Sequence, residues 1–249
     1  MGFADRDYYR AAPPSGGVPH FRTWSVTIWL VVINVAVFFA EALVRNAFHF
    51  SLATWGDFNT YEAIVHLQLW RFITFQFLHA NVSHILFNMM GLYCFGPIIE
   101  SYLGPRKFVA FYLLCGIAGA VTFIALAGSH AIDVSEQSRL VGASAGIFGL
   151  LVASAILAPN AQIILIVFTV TIRTAAILAM LMAAYVVIAS GDNVGGEAAH
   201  LGGGVFGYIL IKNIRWLNFV EPGRRSSMYI GTRRRRGFFN KDWSKDTDH

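Results

Sequence analysis

The chain has 249 residues, of which 56% are hydrophobic and only 13% charged, with a net charge of +5. That balance lies far outside the soluble globular norm and points to a membrane protein. Cys94 and Cys115 both fall in apolar stretches and in no metal-ligand spacing, so they read as packing residues without chemistry of their own.

Residues 1–23 contain a Pro/Gly/Ser stretch from Pro13 to Pro19 and read as a cytoplasmic lead-in. A spanning helix needs roughly 20 mostly apolar residues, and six stretches qualify approximately: 24–44, 82–103, 108–128, 143–158, 174–189 and 198–214. The last three are short. The first reads as a retained span, because its apolar run is too long for a secretory signal and no small-residue cleavage site precedes Arg45.

Six spans place both termini and alternate loops on one side, where basic residues should gather if that side is the cytoplasm. Sixteen of the nineteen Lys and Arg residues fall there, all but Arg45, Arg71 and Arg139. The fold expected is therefore an all-α membrane protein, a six-transmembrane-helix bundle over 24–215 with both termini cytoplasmic. A basic cytoplasmic tail covers 216–249, and its arginines from Arg233 to Arg236 read as a solvated, membrane-proximal run. Topology and attraction to anionic lipid account for the net charge without a nucleic-acid partner.

The longest external segment, 45–81, is rich in aromatics such as Phe48, Trp55, Phe58, Tyr61, Trp70 and Phe75, which favour the headgroup layer. No repeat at solenoid periods and no inverted pair of interrupted helices marks an alternating-access transporter.

Polar groups inside spans are costly, which makes each a candidate for function. Gly142, Ala143, Ser144, Ala145 and Gly146 open the fourth span, where small neighbours let a substrate backbone approach one hydroxyl and the helix start offers free N–H groups. The same residues also suit plain helix packing, with Ala145, Gly149 and Ala153 at spacings of four. His200 opens the sixth span and shares a helical face with Gly203 and Gly207. Ser144 and His200 both begin inward-running helices at the external end, so a base stands at the depth of a weak nucleophile that needs one.

His79, His84 and Asn88 enter the second span at that same end, with His84 and Asn88 four apart on one face. An amide donor beside a histidine suits an oxyanion hole, while the plainer alternative is an interhelical hydrogen bond. His79, His84 and His200 lie at similar depth, yet they form no HExxH-type pairing and have no adjoining carboxylate, so no metal is expected.

In combination, Trp70-Arg71, the His79 and His84-xxx-Asn88 array, Gly142-x-Ser144 and Ala199-His200-x-x-Gly203-x-x-x-Gly207 resemble the rhomboid intramembrane serine proteases, over roughly residues 24–215. The resemblance implies that Ser144 attacks the scissile carbonyl, that His200 serves as general base and then acid, and that His84, Asn88 and the Ser144 backbone N–H hold the oxyanion. It implies packing or structural roles for Gly142, Gly146, Gly203, Gly207, Trp70, Arg71 and Glu100.

It also implies a dyad with no carboxylate orienting the histidine, so Glu197, placed in the loop before the sixth span, reads as solvated. Two departures stand out, Ala145 where many relatives carry glycine and Phe148 where they carry tyrosine; the ring face is kept. The activity implied is serine-type endoproteolysis of transmembrane segments without a cofactor. Segments weakened by Gly, Ala, Ser or Pro are expected as substrates because a stable helix hides its carbonyls. The lack of a transit-like Arg/Ser-rich N-terminus points to a bacterial plasma membrane.

Overall fold

The computed structural model describes residues 25–132, 134, 138–165 and 168–220. The lead-in of residues 1–23 and the arginines from Arg233 to Arg236 lie outside the described residues. The described part is mostly helical, and α1 (Val26–Phe48), α4 (Val82–Leu103) and α5 (Pro105–Gly128) are long and apolar enough to cross a membrane. The apolar helices α6 (Ser144–Leu157) and α7 (Ile172–Ile188) are shorter, and α8 (Val194–Lys212) has 19 residues.

Each long helix starts and stops for a local reason. The Ser25 hydroxyl accepts from the Ile28 N–H at the start of α1, and His49 ends it in the left-handed region at φ 52°. The Asn81 side chain accepts from the His84 N–H at 2.8 Å and sets the start of α4. Between α4 and α5 the chain turns at Gly104, whose φ of 78° suits glycine, and Pro105 opens the next helix where its missing N–H costs nothing.

Glu100, near the end of α4, holds the start of α1. Its carboxylate accepts from the Val26 N–H at 2.7 Å, the Thr27 N–H at 2.9 Å and the Thr27 hydroxyl at 2.7 Å. Negative charge at a helix N-terminus is favourable, and these charge-assisted bonds are the strong kind.

The segment between α1 and α4 is folded. It carries α2 (Leu52–Gly56), a π-helical turn (Tyr61–Val65), α3 (Arg71–Thr74) and a 3-10 turn (Phe75–Phe77). Its aromatics divide: Phe48, Trp55 and Trp70 are exposed, whereas Phe58 and Phe75 are buried in a second core with Phe123, Leu140, Ala145, Val194, Ala198 and Ala199.

Buried Arg71 and Asp57 organise that segment. Arg71 Nη1 donates to Asp57 Oδ1 at 2.7 Å and to the Asp57 carbonyl at 2.6 Å, while Nη2 donates to the Thr54 carbonyl at 2.8 Å. Asp57 Oδ2 accepts from Arg139 at 2.9 Å, and Phe58 and Leu140 exchange backbone hydrogen bonds at 3.0 and 2.7 Å. The loop leading into α6 is thereby fastened to the α1–α4 segment. Trp70 is a surface member of the same arrangement, its indole N–H donating to the Trp55 carbonyl at 3.1 Å.

The all-α expectation needs correction between α6 and α7. There the chain forms an antiparallel hairpin of β1 (Gln162–Leu165) and β2 (Phe168–Thr171), with Gln162 opposite Thr171 and Ile163 opposite Val170. β-branched Ile163, Ile164, Thr169, Val170 and Thr171 favour the pleated conformation. At the other end, a 3-10 segment (Ile214–Val220) carries helical structure past residue 215, and its Leu217 is fully buried in the main core.

α6 is the hub, packing against α4, α5, α7 and α8. Small residues allow the close approach: a Cβ on Gly203 would collide with the Ala145 carbonyl, and one on Gly207 with the Gly149 backbone. Gly146 faces the Tyr112 ring in the same tight way.

Candidate active site

Ser144 is the first residue of α6, and His200 lies in the second turn of α8. The close α6–α8 packing brings them together: Ser144 Oγ and His200 Nε2 are 2.7 Å apart. The Phe148 ring, one turn beyond Ser144 on α6, stacks on the imidazole with centroids 4.2 Å apart and planes inclined by 10°. Phe148 thus fixes the plane of the histidine ring.

His84 and Asn88 line the same cavity, of about 630 Å³, together with Arg139, Phe148, Ser144 and His200. Asn88 is 6% exposed, and its Nδ2 has no hydrogen-bond partner among the described residues. A buried N–H without an acceptor is unusual enough to require an explanation. Gly142 closes this side: at φ 121° it occupies a region that other residues rarely adopt, and a Cβ there would meet His84 Nε2 at 2.6 Å. Its N–H donates to the Phe75 carbonyl at 2.9 Å, which fixes the approach to Ser144.

No side chain caps the start of α6. The backbone N–H groups of its first turn therefore face the cavity end of the helix without intrahelical partners. A negative charge developing there would meet these donors, the helix dipole and the Asn88 amide together.

His79 stands just outside this group. Its ring meets that of His84 edge to face, with centroids 5.2 Å apart. Burial, assisted by the neighbouring His84, pushes its pKa down to about 4, so it stays neutral near pH 7. Among the described residues no group of three or more His, Cys, Asp or Glu could hold a metal ion.

The reading of Glu197 as a solvated loop residue is corrected. α8 begins at Val194, four residues earlier than the sequence suggested, so Glu197 sits in its first turn, three residues before His200. Its Oε2 lies 2.9 Å from His200 Nδ1, with the two side chains 22% and 15% exposed. The charge of Glu197 and its i, i+3 spacing were the signals available in the sequence.

Residues 66–216, more than half the chain, match the Rhomboid domain. The chain is similar to the rhomboid protease AarA of Providencia stuartii, 31% identical over 143 residues that cover 53% of this chain and 50% of that protein. It is also similar to the mitochondrial RHOMBOID-like protein 12 of Arabidopsis thaliana, 27% identical over 211 residues that cover 76% of this chain and 58% of that protein. It thus spans between half and three fifths of these relatives' lengths. Taken with the apolar helices, the domain match makes this a membrane protein that belongs to the rhomboid family.

Proposed function

We propose that the protein is an intramembrane serine endopeptidase that hydrolyses peptide bonds in or near transmembrane segments of other membrane proteins. The observation that carries this reading is the 2.7 Å contact between Ser144 Oγ and His200 Nε2 beside a cavity also lined by Asn88, whose amide has no protein acceptor among the described residues. A serine hydroxyl gains nucleophilicity when a base within hydrogen-bond reach takes its proton. Two relatives, AarA of Providencia stuartii and GlpG of Yersinia pestis, are named rhomboid proteases, which favours the same chemistry here.

In this mechanism Ser144 Oγ attacks the scissile carbonyl carbon while its proton passes to His200 Nε2. The carbonyl oxygen becomes an oxyanion held by the Asn88 amide, by His84 and by the Ser144 N–H. Collapse expels the amine, which takes the proton from His200, and water then hydrolyses the acyl-enzyme by the same route. The substrate helix must unwind first, because an intact helix hides its carbonyls in internal hydrogen bonds.

The setting belongs to the same proposal: six membrane-spanning helices over 24–215, cytoplasmic termini and basic tail, and a bacterial plasma membrane reached by substrates through the lipid. The excess of Lys and Arg on one side of the chain's alternation supports that orientation. The test is cleavage of a fluorescent transmembrane peptide in detergent by the wild type, Ser144→Ala and His200→Ala. The wild type should cleave and each variant should lose at least about 10³-fold in kcat. Equal rates in all three would sink the reading.

A further inference from the structure

We propose that Glu197 is a positioning residue for His200, so that the site works as a Ser144–His200–Glu197 relay in which the carboxylate selects the imidazole tautomer. This rests on the protease reading above. It departs from the dyad that the sequence resemblance implies.

Both nitrogens of His200 are engaged, Nδ1 with Glu197 Oε2 at 2.9 Å and Nε2 with Ser144 Oγ at 2.7 Å. A carboxylate only accepts hydrogen bonds, so the ring proton resides on Nδ1. The neutral ring then presents a lone pair at Nε2, which is the form able to take the Ser144 proton. The opposite tautomer would place an N–H against the hydroxyl and leave no base.

Phe148 cannot make this choice. Its stacked ring holds the imidazole plane but offers no acceptor within that plane, where the ring N–H and lone pair lie. Glu197 is held firmly enough to do so. It lies one turn from His200 on α8, between buried Val194 and the buried pair Ala198 and Ala199, which pack into the second core with Phe58 and Phe123. Among the hydrogen bonds described, the Glu197 carboxylate has His200 as its partner.

The proton balance closes without new reactants. Oγ–H of Ser144 passes its proton to Nε2, the imidazolium returns it to the leaving amine, and Glu197 keeps its charge while accepting from Nδ1 throughout. The carboxylate thus also faces the positive charge that the ring acquires. A merely structural alternative exists, since an acidic residue in a first turn stabilises a helix. That alternative moves the melting temperature and leaves the ring tautomer alone.

The experiment combines histidine 15N spectra of the full chain in detergent micelles with peptide kinetics, the His200 signals being assigned by their loss in His200→Ala. Wild type should carry the His200 proton on Nδ1, and Glu197→Ala should lose that preference. Glu197→Ala should lower kcat roughly ten- to hundredfold with KM within twofold, less than the 10⁴-fold or so typical of a fully buried triad carboxylate. Should Glu197→Ala melt early, Glu197→Gln keeps the packing, and the same two changes are expected in smaller degree.

A wild-type proton on Nε2, or a folded Glu197→Ala with unchanged kcat, overturns the proposal. The spectra need no substrate. If wild type and Ser144→Ala prove equally inactive, the protease reading falls while the tautomer still decides the hydrogen bond to Glu197.

Discussion

At the scale of single residues, Asn88 is placed to act on the charge that the reaction would create. Asn88 is 6% exposed, lines the cavity beside Ser144, and its Nδ2 has no protein acceptor among the described residues. A tetrahedral oxyanion at Ser144 would provide the missing acceptor, so the interaction is made in the transition state rather than in the resting enzyme. Asn88→Ala should therefore lower kcat by about 10²-fold or more, with little change in KM. Its melting temperature in detergent should change little, because the Asn88 Nδ2 has no protein partner to lose among the described residues. A variant with normal kcat and a lowered melting temperature would make Asn88 a structural residue and remove it from the oxyanion hole.

At the scale of elements, the geometry depends on how closely α6 and α8 approach. A Cβ on Gly203 would strike the Ala145 carbonyl, directly after Ser144, and backbone cannot swing aside as a flexible side chain would. Gly203→Ala should thus force the helices apart, at an overpacking cost of about 1–3 kcal/mol. The displacement separates Ser144 from His200 as well, so peptide cleavage should fall at least tenfold, alongside a lowered melting temperature. Normal activity in Gly203→Ala would show that the close approach is not what sets the contact.

This packing was legible in advance, since Gly203 and Gly207 stand four apart on the His200 face and small residues flank Ser144. The start of α8 was not. Gly195 and Gly196 are poor helix formers, so propensity places the beginning near Ala198 and leaves Glu197 in a loop, whereas burial of Val194 and Ala198 extends the helix to residue 194. The β1–β2 hairpin escaped for a different reason: four-residue strands are too short for a periodicity signal beside apolar helices. Likewise, composition alone could not divide the aromatics of 45–81, because Phe58 and Phe75 are buried together with residues distant in the chain, Phe123 of α5, Leu140, Ala145 of α6 and Val194, Ala198 and Ala199 of α8, as well as with Ala63 of their own segment.

At the scale of the whole molecule, α6 is the short member of the bundle. Its 14 residues extend about 21 Å at 1.5 Å per residue, well under the roughly 30 Å of a hydrocarbon core. Ser144, at its N-terminal end, can thus stand below the membrane surface with the cavity above it. The loop that enters α6 is fastened to the α1–α4 segment by the Phe58–Leu140 backbone hydrogen bonds and by Asp57, which pairs with buried Arg71 and with Arg139. Removing Arg71 would leave Asp57 short of its buried partner, which is costly, whereas the contact to the half-exposed Arg139 is worth at most about 1 kcal/mol.

The proposed orientation puts the cavity mouth outside the cell and the α4–α5 turn inside, and single cysteines can separate the two. Arg106 at the start of α5 and Asp192 before α8 are both exposed, while Cys94 and Cys115 can be replaced by alanine to clear the background. In intact bacterial cells a membrane-impermeant maleimide should label Asp192→Cys directly and Arg106→Cys only after permeabilisation. The converse pattern would invert the bundle, and it would mean that sixteen of the nineteen basic residues lie on the side that the positive-inside rule disfavours.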